Sequence, residues 1–144
     1  MGVPSLLCFS FVCAHFAAYD YNLARRIADY HQTVSCLVFP PLPSSDNSAA
    51  TTIYATSHLF FLGDLNFRLA LPPDHPLSAT TTLPEFGSSL GDEQIREEMR
   101  EFDQLLIERR KGNIFVGLRE GEFWKFKCSY KYHLGEVDKY RCAS

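Results

Sequence analysis

The stretch that most constrains the fold is residues 58–69, HLFFLGDLNFRL. A short apolar run that ends at a glycine, here Gly63, predicts a buried strand followed by a sharp turn. Asp64 and Asn66 lie two positions apart, so an extended chain places both on one face. Ordinary turns also contain Gly-Asp-x-Asn, so the context decides. A carboxylate at a strand tip can orient or deprotonate water, and an amide can hold a phosphoryl oxygen.

Size and charge define the class of protein. The chain has 144 residues, of which 46% are hydrophobic and 22% charged, which is typical of a single soluble globular domain. Its formal net charge is −3, so no general basic field attracts nucleic acid, and anion binding must be local. The five cysteines form no C-x-x-C pair, which argues against a zinc site and a disulfide framework. We therefore expect a reducing, cytoplasmic location.

Local patterns predict strands and helices in alternation, and hence an α/β fold. Residues 5–14 predict a buried strand, with His15 at its end either as a core histidine or as a site residue. Asp92 is expected to cap a helix, and Arg25 and Arg26 are expected on a solvated helix face. The other predicted elements are helices over 20–39 and 92–111, a strand over 123–132, and surface loops over 40–52 and 70–90.

Longer motifs surround these elements. They are FVCAHFAA at 11–18, RIADY at 26–30, FLGDLNFRL at 61–69, DQLLIERRKGNIF at 103–115, CSYKY at 128–132 and KYR at 139–141. In this order they resemble F-V-N-[SA]-H-L-A-A, R-N-x-D-[YF], F-x-G-D-L-N-Y-R-[IL], D-Q-L-x-x-E-R-x-x-G-x-x-F, P-T-Y-K-Y and K-x-R. Those are motifs of the inositol polyphosphate 5-phosphatase catalytic domain, which belongs to the endonuclease/exonuclease/phosphatase superfamily.

The resemblance implies a particular architecture, part of a four-layer α/β sandwich in which helices flank two packed mixed sheets. Residues 1–144 correspond to the central to C-terminal portion of that domain. The family's N-terminal half, with its Mg²⁺-binding glutamate, and its P-[AS]-W-C-D-R-[IV]-L motif have no counterpart in this sequence. Half a sandwich leaves strand edges open, so we expect poor solubility. Cys13, Ile27, Phe67 and Cys128 depart from the family pattern.

The resemblance also implies a reaction, the Mg²⁺-assisted hydrolysis of a phosphate ester by in-line attack of water. Asp64 would orient and deprotonate that water, and Asn66 and His15 would donate hydrogen bonds to the scissile phosphate. Arg68 would either aid phosphate binding or form a structural salt bridge. No metal ligand is assigned within this chain.

Tyr130, Lys131, Lys139 and Arg141 match the positions that hold the inositol 4-phosphate in the family. Convergent cationic and hydroxyl donors suit a doubly charged phosphate. Without the resemblance, the three cations would be solvated charges and Tyr130 would face a core.

The implied function is a phosphatase that removes the 5-phosphate of phosphoinositides, such as phosphatidylinositol 4,5-bisphosphate, or of inositol polyphosphates. Such a protein works with Mg²⁺ and contacts the cytosolic face of membranes. We expect little activity from this chain alone, because the metal glutamate falls outside it. The alternative is a non-catalytic remnant that binds phosphoinositides or proteins. The acidic balance argues against a nuclease, and no nucleic-acid partner is expected.

Overall fold

The structure is a computed structural model of the 144-residue chain. It describes residues 7–40, 51–78, 91–130 and 132–137. The chain divides into two compact units, Met1–Phe67 and Arg68–Ser144. The first unit contains paired strands and one long helix, and the second contains two short helices and several turns. This content confirms the predicted α/β class. In the described part of the chain, no helix is both long and apolar enough to cross a bilayer.

The first unit is organised around a parallel pair of strands. Its strands are β1 (Phe9–His15), β2 (Val38–Phe39), β3 (Thr51–Thr52) and β4 (His58–Asp64). β1 and β4 pair in parallel without interruption, from Phe9 opposite His58 to His15 opposite Asp64. β2 and β3 form a separate antiparallel pair. The strands predicted over 5–14 and 59–62 are confirmed where they are described, whereas β3 lies within a predicted loop.

The helix α1, Leu23–Cys36, covers one face of the parallel pair. The ring of Tyr30 on α1 lies 6.1 Å from that of Phe61 on β4. Val12, Tyr30 and Ile53 are buried in this core. The hydroxyl of Tyr30 also shares a hydrogen bond of 2.6 Å with that of Tyr54. Burial is the main cause that raises the pKa of the Tyr54 hydroxyl, and this hydrogen bond raises it further. The predicted helix over 20–39 is thus confirmed for Leu23–Cys36, but its ends are wrong, since residues 20–22 form a 3₁₀ turn and Val38–Phe39 form β2.

Two burial predictions in the first unit are wrong. The residues of β4 alternate between half-buried and exposed, because in the described structure a helix covers only one face of the pair. Phe60 and Leu62 are therefore exposed. Arg26 was expected on a solvated helix face but is fully buried, whereas Arg25 is exposed as predicted. Arg26 is buried because it hydrogen-bonds the chain segment that connects β1 to α1.

The second unit breaks the predicted helix over 92–111 into two. These are α2, Glu93–Met99, and α3, Gln104–Arg110, with a 3₁₀ turn between them. The break occurs at Asp103, whose extended backbone and side-chain acceptor start a new helix by capping the amides of Leu105 and Leu106. Burial raises the pKa of the Asp103 carboxyl. The predicted cap at Asp92 is confirmed, since its carboxylate accepts from the amide of Gln94.

The predicted strand over 123–132 is wrong, since the described residues of this segment form no strand. Phe123–Lys125 is a 3₁₀ turn. Two arginines hold the turn in place. Arg96 of α2 donates to the carbonyl of Trp124 at 2.6 Å, and the guanidinium of Arg100, in the 3₁₀ turn after α2, lies 3.6 Å from the centroid of the Trp124 ring. A segment in which apolar and polar residues alternate forms a strand only where a neighbouring strand pairs with it. Here the segment turns instead, and Phe126 is exposed.

Candidate active site at the carboxyl ends of the parallel strands

His15 and Asp64 lie side by side where the two parallel strands end. They are register partners, and His15 Nε2 lies 3.8 Å from Asp64 Oδ2. Their side chains are 75% and 69% exposed, so both are open to solvent. The carboxyl ends of neighbouring parallel strands share one sheet edge, which is a common position for functional residues in α/β folds. The two side chains that the sequence places far apart are therefore adjacent.

Gly63 makes this adjacency sterically feasible. It lies within β4 opposite Ala14, with φ of +127°, and a Cβ there would fall 2.0 Å from the carbonyl oxygen of Ala14. We predicted that this glycine permits a turn after the strand. The structure gives a different reason, because Gly63 is still in the strand and permits the close approach of β1.

Asn66 ties the ends of the two strands together. Its Nδ2 donates to the carbonyl of Phe16 at 2.9 Å, and its backbone N–H donates to Asp64 Oδ1 at 3.2 Å. The amide of Phe16 in turn donates to the carbonyl of Asp64 at 3.0 Å. Asn66 adopts a left-handed backbone, φ 56°, so the extended chain predicted for Asp64 to Asn66 is wrong. Its proposed donation to a phosphate stays a prediction.

Two residues behind the site support His15 from α1. Arg26 donates to the carbonyls of Ala17 and Tyr19, at 3.1 and 2.6 Å. Asp29 accepts from the amide of Ala17 at 2.9 Å. Together they fix the segment that follows His15. Sequence reasoning missed this role, although the Arg-x-x-Asp spacing places both side chains on one helix face and signals a shared target.

An open groove runs beside His15, between the end of β1 and α1. Its volume is about 810 Å³, which is within the range of small-molecule sites. Cys13, Arg25 and Gln32 contribute to its lining. Arg25 is held there by a 2.9 Å ion pair with Asp29.

The other predicted ligand residues lie in the second unit or outside the described residues. Arg68 belongs to the second unit, where its backbone N–H and C=O both pair with Gln104. Tyr130 also belongs to the second unit and is 77% exposed, which contradicts the alternative in which it faces a core. Lys131, Lys139 and Arg141 lie outside the described residues. Their roles stay predictions.

The side chains of the candidate site show whether the described residues could hold the predicted Mg²⁺. Among the residues that the structure describes, no three His, Cys, Asp or Glu side chains are grouped so that they could hold a metal ion. Asp64 is the single carboxylate of the trio formed with His15 and Asn66. Mg²⁺ in proteins is held by one or two carboxylates together with waters and substrate phosphates. The described residues do not by themselves fit a resident Mg²⁺.

Comparison with known proteins agrees with the motifs. The sequence model of Endonuclease/Exonuclease/phosphatase family 2 matches residues 3–144, so the chain belongs to this family. It is 34% identical over 140 residues to human phosphatidylinositol polyphosphate 5-phosphatase type IV. The matched stretch covers 94% of this chain and 20% of the relative. It is also 34% identical over 140 residues to type I inositol polyphosphate 5-phosphatase 5 of Arabidopsis thaliana, covering 91% of this chain and 24% of the relative. The predicted resemblance to inositol polyphosphate 5-phosphatases is confirmed.

A solved structure shares the fold. It is the inositol polyphosphate 5-phosphatase domain of SpSynaptojanin, which was crystallised with inositol (1,4)-bisphosphate and a calcium ion. The TM-score is 0.59 at 23% identity, over 92% of this chain and 33% of that one. The chain thus spans about a third of the solved domain and about a fifth of the length of its type IV relatives.

Proposed function

We propose that this chain forms part of the catalytic unit of a phosphatase that removes the 5-phosphate of phosphoinositides or inositol polyphosphates. The unit would have the four-layer α/β sandwich fold and would act in the cytoplasm, at the cytosolic face of membranes. The observation that carries the proposal is the pairing of His15 with Asp64 at the shared end of β1 and β4. Family membership and the names of the relatives support the same function.

The three side chains have complementary chemistry for phosphate-ester hydrolysis. The Asp64 carboxylate is an acceptor that can orient a water molecule and take its proton, and its exposure leaves room for that water. His15 offers a ring donor 3.8 Å away, suited to a phosphoryl oxygen that gains negative charge. Asn66 fixes the segment that follows Asp64, through its bond to Phe16. Arg68 and Tyr130, with Lys131, Lys139 and Arg141, are proposed to bind the phosphates that are not cleaved.

Mg²⁺ is the cofactor that we propose for the complete catalytic unit. The described residues do not by themselves fit a resident Mg²⁺, so its ligands would come from elsewhere in the unit. For this reason we expect the 144-residue chain by itself to release little phosphate, whatever its affinity for substrate.

The experiment is an activity graft. The 140 matched residues of human phosphatidylinositol polyphosphate 5-phosphatase type IV are replaced by this chain, and phosphate release from vesicles that contain phosphatidylinositol 4,5-bisphosphate is measured. We expect the graft to be active, and Asp64→Asn to lower its rate about 100-fold or more, the usual contribution of a general base. Asp74→Asn is the matched control, because Asp74 is exposed and lies outside all the motifs that resemble those of the family.

Two results would contradict the proposal. One is a folded graft that releases no phosphate, and the other is an active graft in which Asp64→Asn and Asp74→Asn have the same rate. A high rate from the isolated chain would contradict the expectation that its ligand set is incomplete.

The second candidate is a binding module without catalysis, and the openness of the site favours it. The side chains of His15 and Asp64 are 75% and 69% exposed, so bulk solvent surrounds both, whereas electrostatic catalysis is stronger where bulk solvent is kept away from the reacting phosphate. Vesicle sedimentation separates the two functions. Binding that survives Asp64→Ala but is lost in the double variant Lys131→Ala, Lys139→Ala, in a graft without phosphatase activity, would establish the binding module.

A further inference from the structure

Two tyrosines are exposed shortly after His15, on the segment that leads from β1 into α1. We call Tyr19 and Tyr21 the tyrosine pair. Tyr19 is 64% exposed and Tyr21 81%. Their rings stack with the centroids 5.6 Å apart and the planes 4° from parallel. Single apolar side chains on a surface are common, whereas two stacked rings form a contiguous patch that a partner can bury.

The backbone of Tyr19 is strained. Its φ of 74° and ψ of 147° lie close to a region that essentially only glycine occupies. A glycine here would relieve the strain, but it would also remove the ring. Strained residues of this kind are concentrated at functional sites. A function of the exposed ring would therefore explain why a tyrosine occupies this position.

Hydrogen bonds from α1 and the turn before it fix this strained segment. Arg26, which is fully buried, donates to the carbonyls of Tyr19 and Asp20, at 2.6 and 3.3 Å. The backbone amide of Asn22 donates to the carbonyl of Tyr19 at 3.2 Å, and its side-chain amide donates to that of Ala18 at 2.7 Å. The tyrosine pair is thus held at a fixed place relative to the carboxyl end of β1, where the candidate active site lies.

The chemistry of the rings and the local charge indicate what kind of surface the pair fits. A tyrosine has an apolar ring and a polar hydroxyl, and tyrosines are enriched at the interface between membrane and water. Residues 16–25 contain one acidic and one basic side chain, Asp20 and Arg25, so the segment has no net charge that would attract an anionic surface. Two exposed rings on a neutral segment fit the headgroup layer of a bilayer through burial of apolar area rather than through charge.

We propose that the tyrosine pair is an interfacial anchor, which inserts among lipid headgroups and holds the His15 end of β1 at the membrane surface. The inference rests on the proposed function, because a substrate that lies in the bilayer makes the fixed position of the rings beside the site useful. Exposed tyrosines also occur at protein interfaces, but a membrane-lipid substrate favours the bilayer as the partner.

Vesicle sedimentation of the 144-residue chain tests the anchor without any catalysis. The vesicles consist of phosphatidylcholine, with or without phosphatidylserine, and contain no phosphoinositide. We expect the double variant Tyr19→Gly, Tyr21→Ser to lower the partition coefficient about tenfold on both kinds of vesicle, because it removes the burial of two rings. Phe126→Ser is the matched control, since it removes a ring that is 73% exposed and lies in the second unit. It should change the partition coefficient by less than about twofold.

Three further measurements separate an anchor from a merely structural pair. Tyr21→Phe keeps the ring and should bind vesicles like the unmodified chain. Tyr19→Gly should unfold at a urea midpoint no lower than that of the unmodified chain, because glycine relieves the strained backbone. In the graft into the human type IV relative, the double variant should lower the ratio of two rates about tenfold. These are the rate on phosphatidylinositol 4,5-bisphosphate in vesicles and the rate on soluble inositol 1,4,5-trisphosphate.

Three results would overturn the inference. One is a double variant that binds vesicles as well as Phe126→Ser does. Another is binding that requires phosphatidylserine and is lost at about 0.5 M salt, which would assign the contact to charge. The third is a lower urea midpoint for Tyr19→Gly, which would make the ring a structural element. Sedimentation and unfolding involve no phosphate release, so these failures are distinct from a failure of the proposed phosphatase function.

Discussion

Replacement of Gly63 by alanine should destabilise the first unit through one identifiable contact. The added Cβ would fall 2.0 Å from the carbonyl oxygen of Ala14 and 2.9 Å from its carbonyl carbon and nitrogen. All three are backbone atoms, so no flexible side chain can move aside. Restoring an ordinary contact of 3.4 Å requires the strands to separate by about 1.4 Å at this position. Such a shift disrupts the pairing immediately before His15 and Asp64.

The cost has two parts. A left-handed backbone at φ +127° strains any residue with a Cβ, at about 1–3 kcal/mol. Forcing extra volume into a packed position adds about 1–3 kcal/mol. We therefore expect Gly63→Ala to lower the free energy of unfolding by about 4 kcal/mol, a large share of the stability of a typical domain.

The assay is urea unfolding of the full chain, followed by far-ultraviolet circular dichroism. The control is Gly117→Ala, at a glycine that is also left-handed, φ +81°, but has no atom within 4 Å of the added Cβ. It should lose only about 1 kcal/mol. If the two variants lose the same free energy, the close approach of β1 to Gly63 is refuted.

Three further predictions concern residues around the site and in α3. Arg26→Met should cost about 3 kcal/mol, because it strands buried carbonyls, whereas Arg25→Met at an exposed ion pair should cost under about 1 kcal/mol; equal urea midpoints would contradict this. Asn66→Ala should lower the free energy of unfolding by about 1 kcal/mol more than Asn66→Gly, because glycine adopts a left-handed backbone without strain and alanine does not. A larger loss for Asn66→Gly in urea unfolding would contradict this. Hydrogen bonds from Lys111 and Asn113 lower the pKa of Glu108 in the folded chain. The ionised Glu108 therefore stabilises the fold fully above the ordinary glutamate pKa of about 4.3, and this contribution is lost as the pH falls through the lowered pKa. Glu108→Gln should make the thermal midpoint less dependent on pH across that acidic range. A variant whose thermal midpoint depends on pH as in the unmodified chain would contradict the lowered pKa of Glu108.

Strand periodicity and glycine placement were enough to predict β1 and β4. The sequence also predicted that Asp64 and Asn66 follow the second strand. It could not show that Gly63 is required by the neighbouring strand rather than by a turn, because the contact with Ala14 joins residues 49 positions apart. The adjacency of His15 and Asp64 likewise depends on strand register, which no local pattern fixes.

The failures share a physical cause, which is tertiary context that overrides local pattern. Arg26 has the spacing of a solvated residue, but the carbonyls of the preceding segment bury it. The segment at 123–132 alternates like a strand, yet Arg96 and Arg100 hold Trp124 in a turn. The 92–111 helix breaks because Asp103 is a better cap than a helix interior residue. Arg96 lies 28 positions from Trp124, and even the carbonyls that bury Arg26 lie 7 and 9 positions away, beyond the reach of a helical pattern.

The most direct test of the central claim is the position of hydrolysis. The graft of this chain into the human type IV relative is given inositol 1,4,5-trisphosphate, and the products are identified by ³¹P nuclear magnetic resonance. If Asp64, with His15 beside it, deprotonates the water that attacks a phosphate held as we propose, only the 5-phosphate is released and Asp64→Asn slows its release about 100-fold or more. Release of the 1- or 4-phosphate, or release of the 5-phosphate at an undiminished rate in Asp64→Asn, would contradict the account.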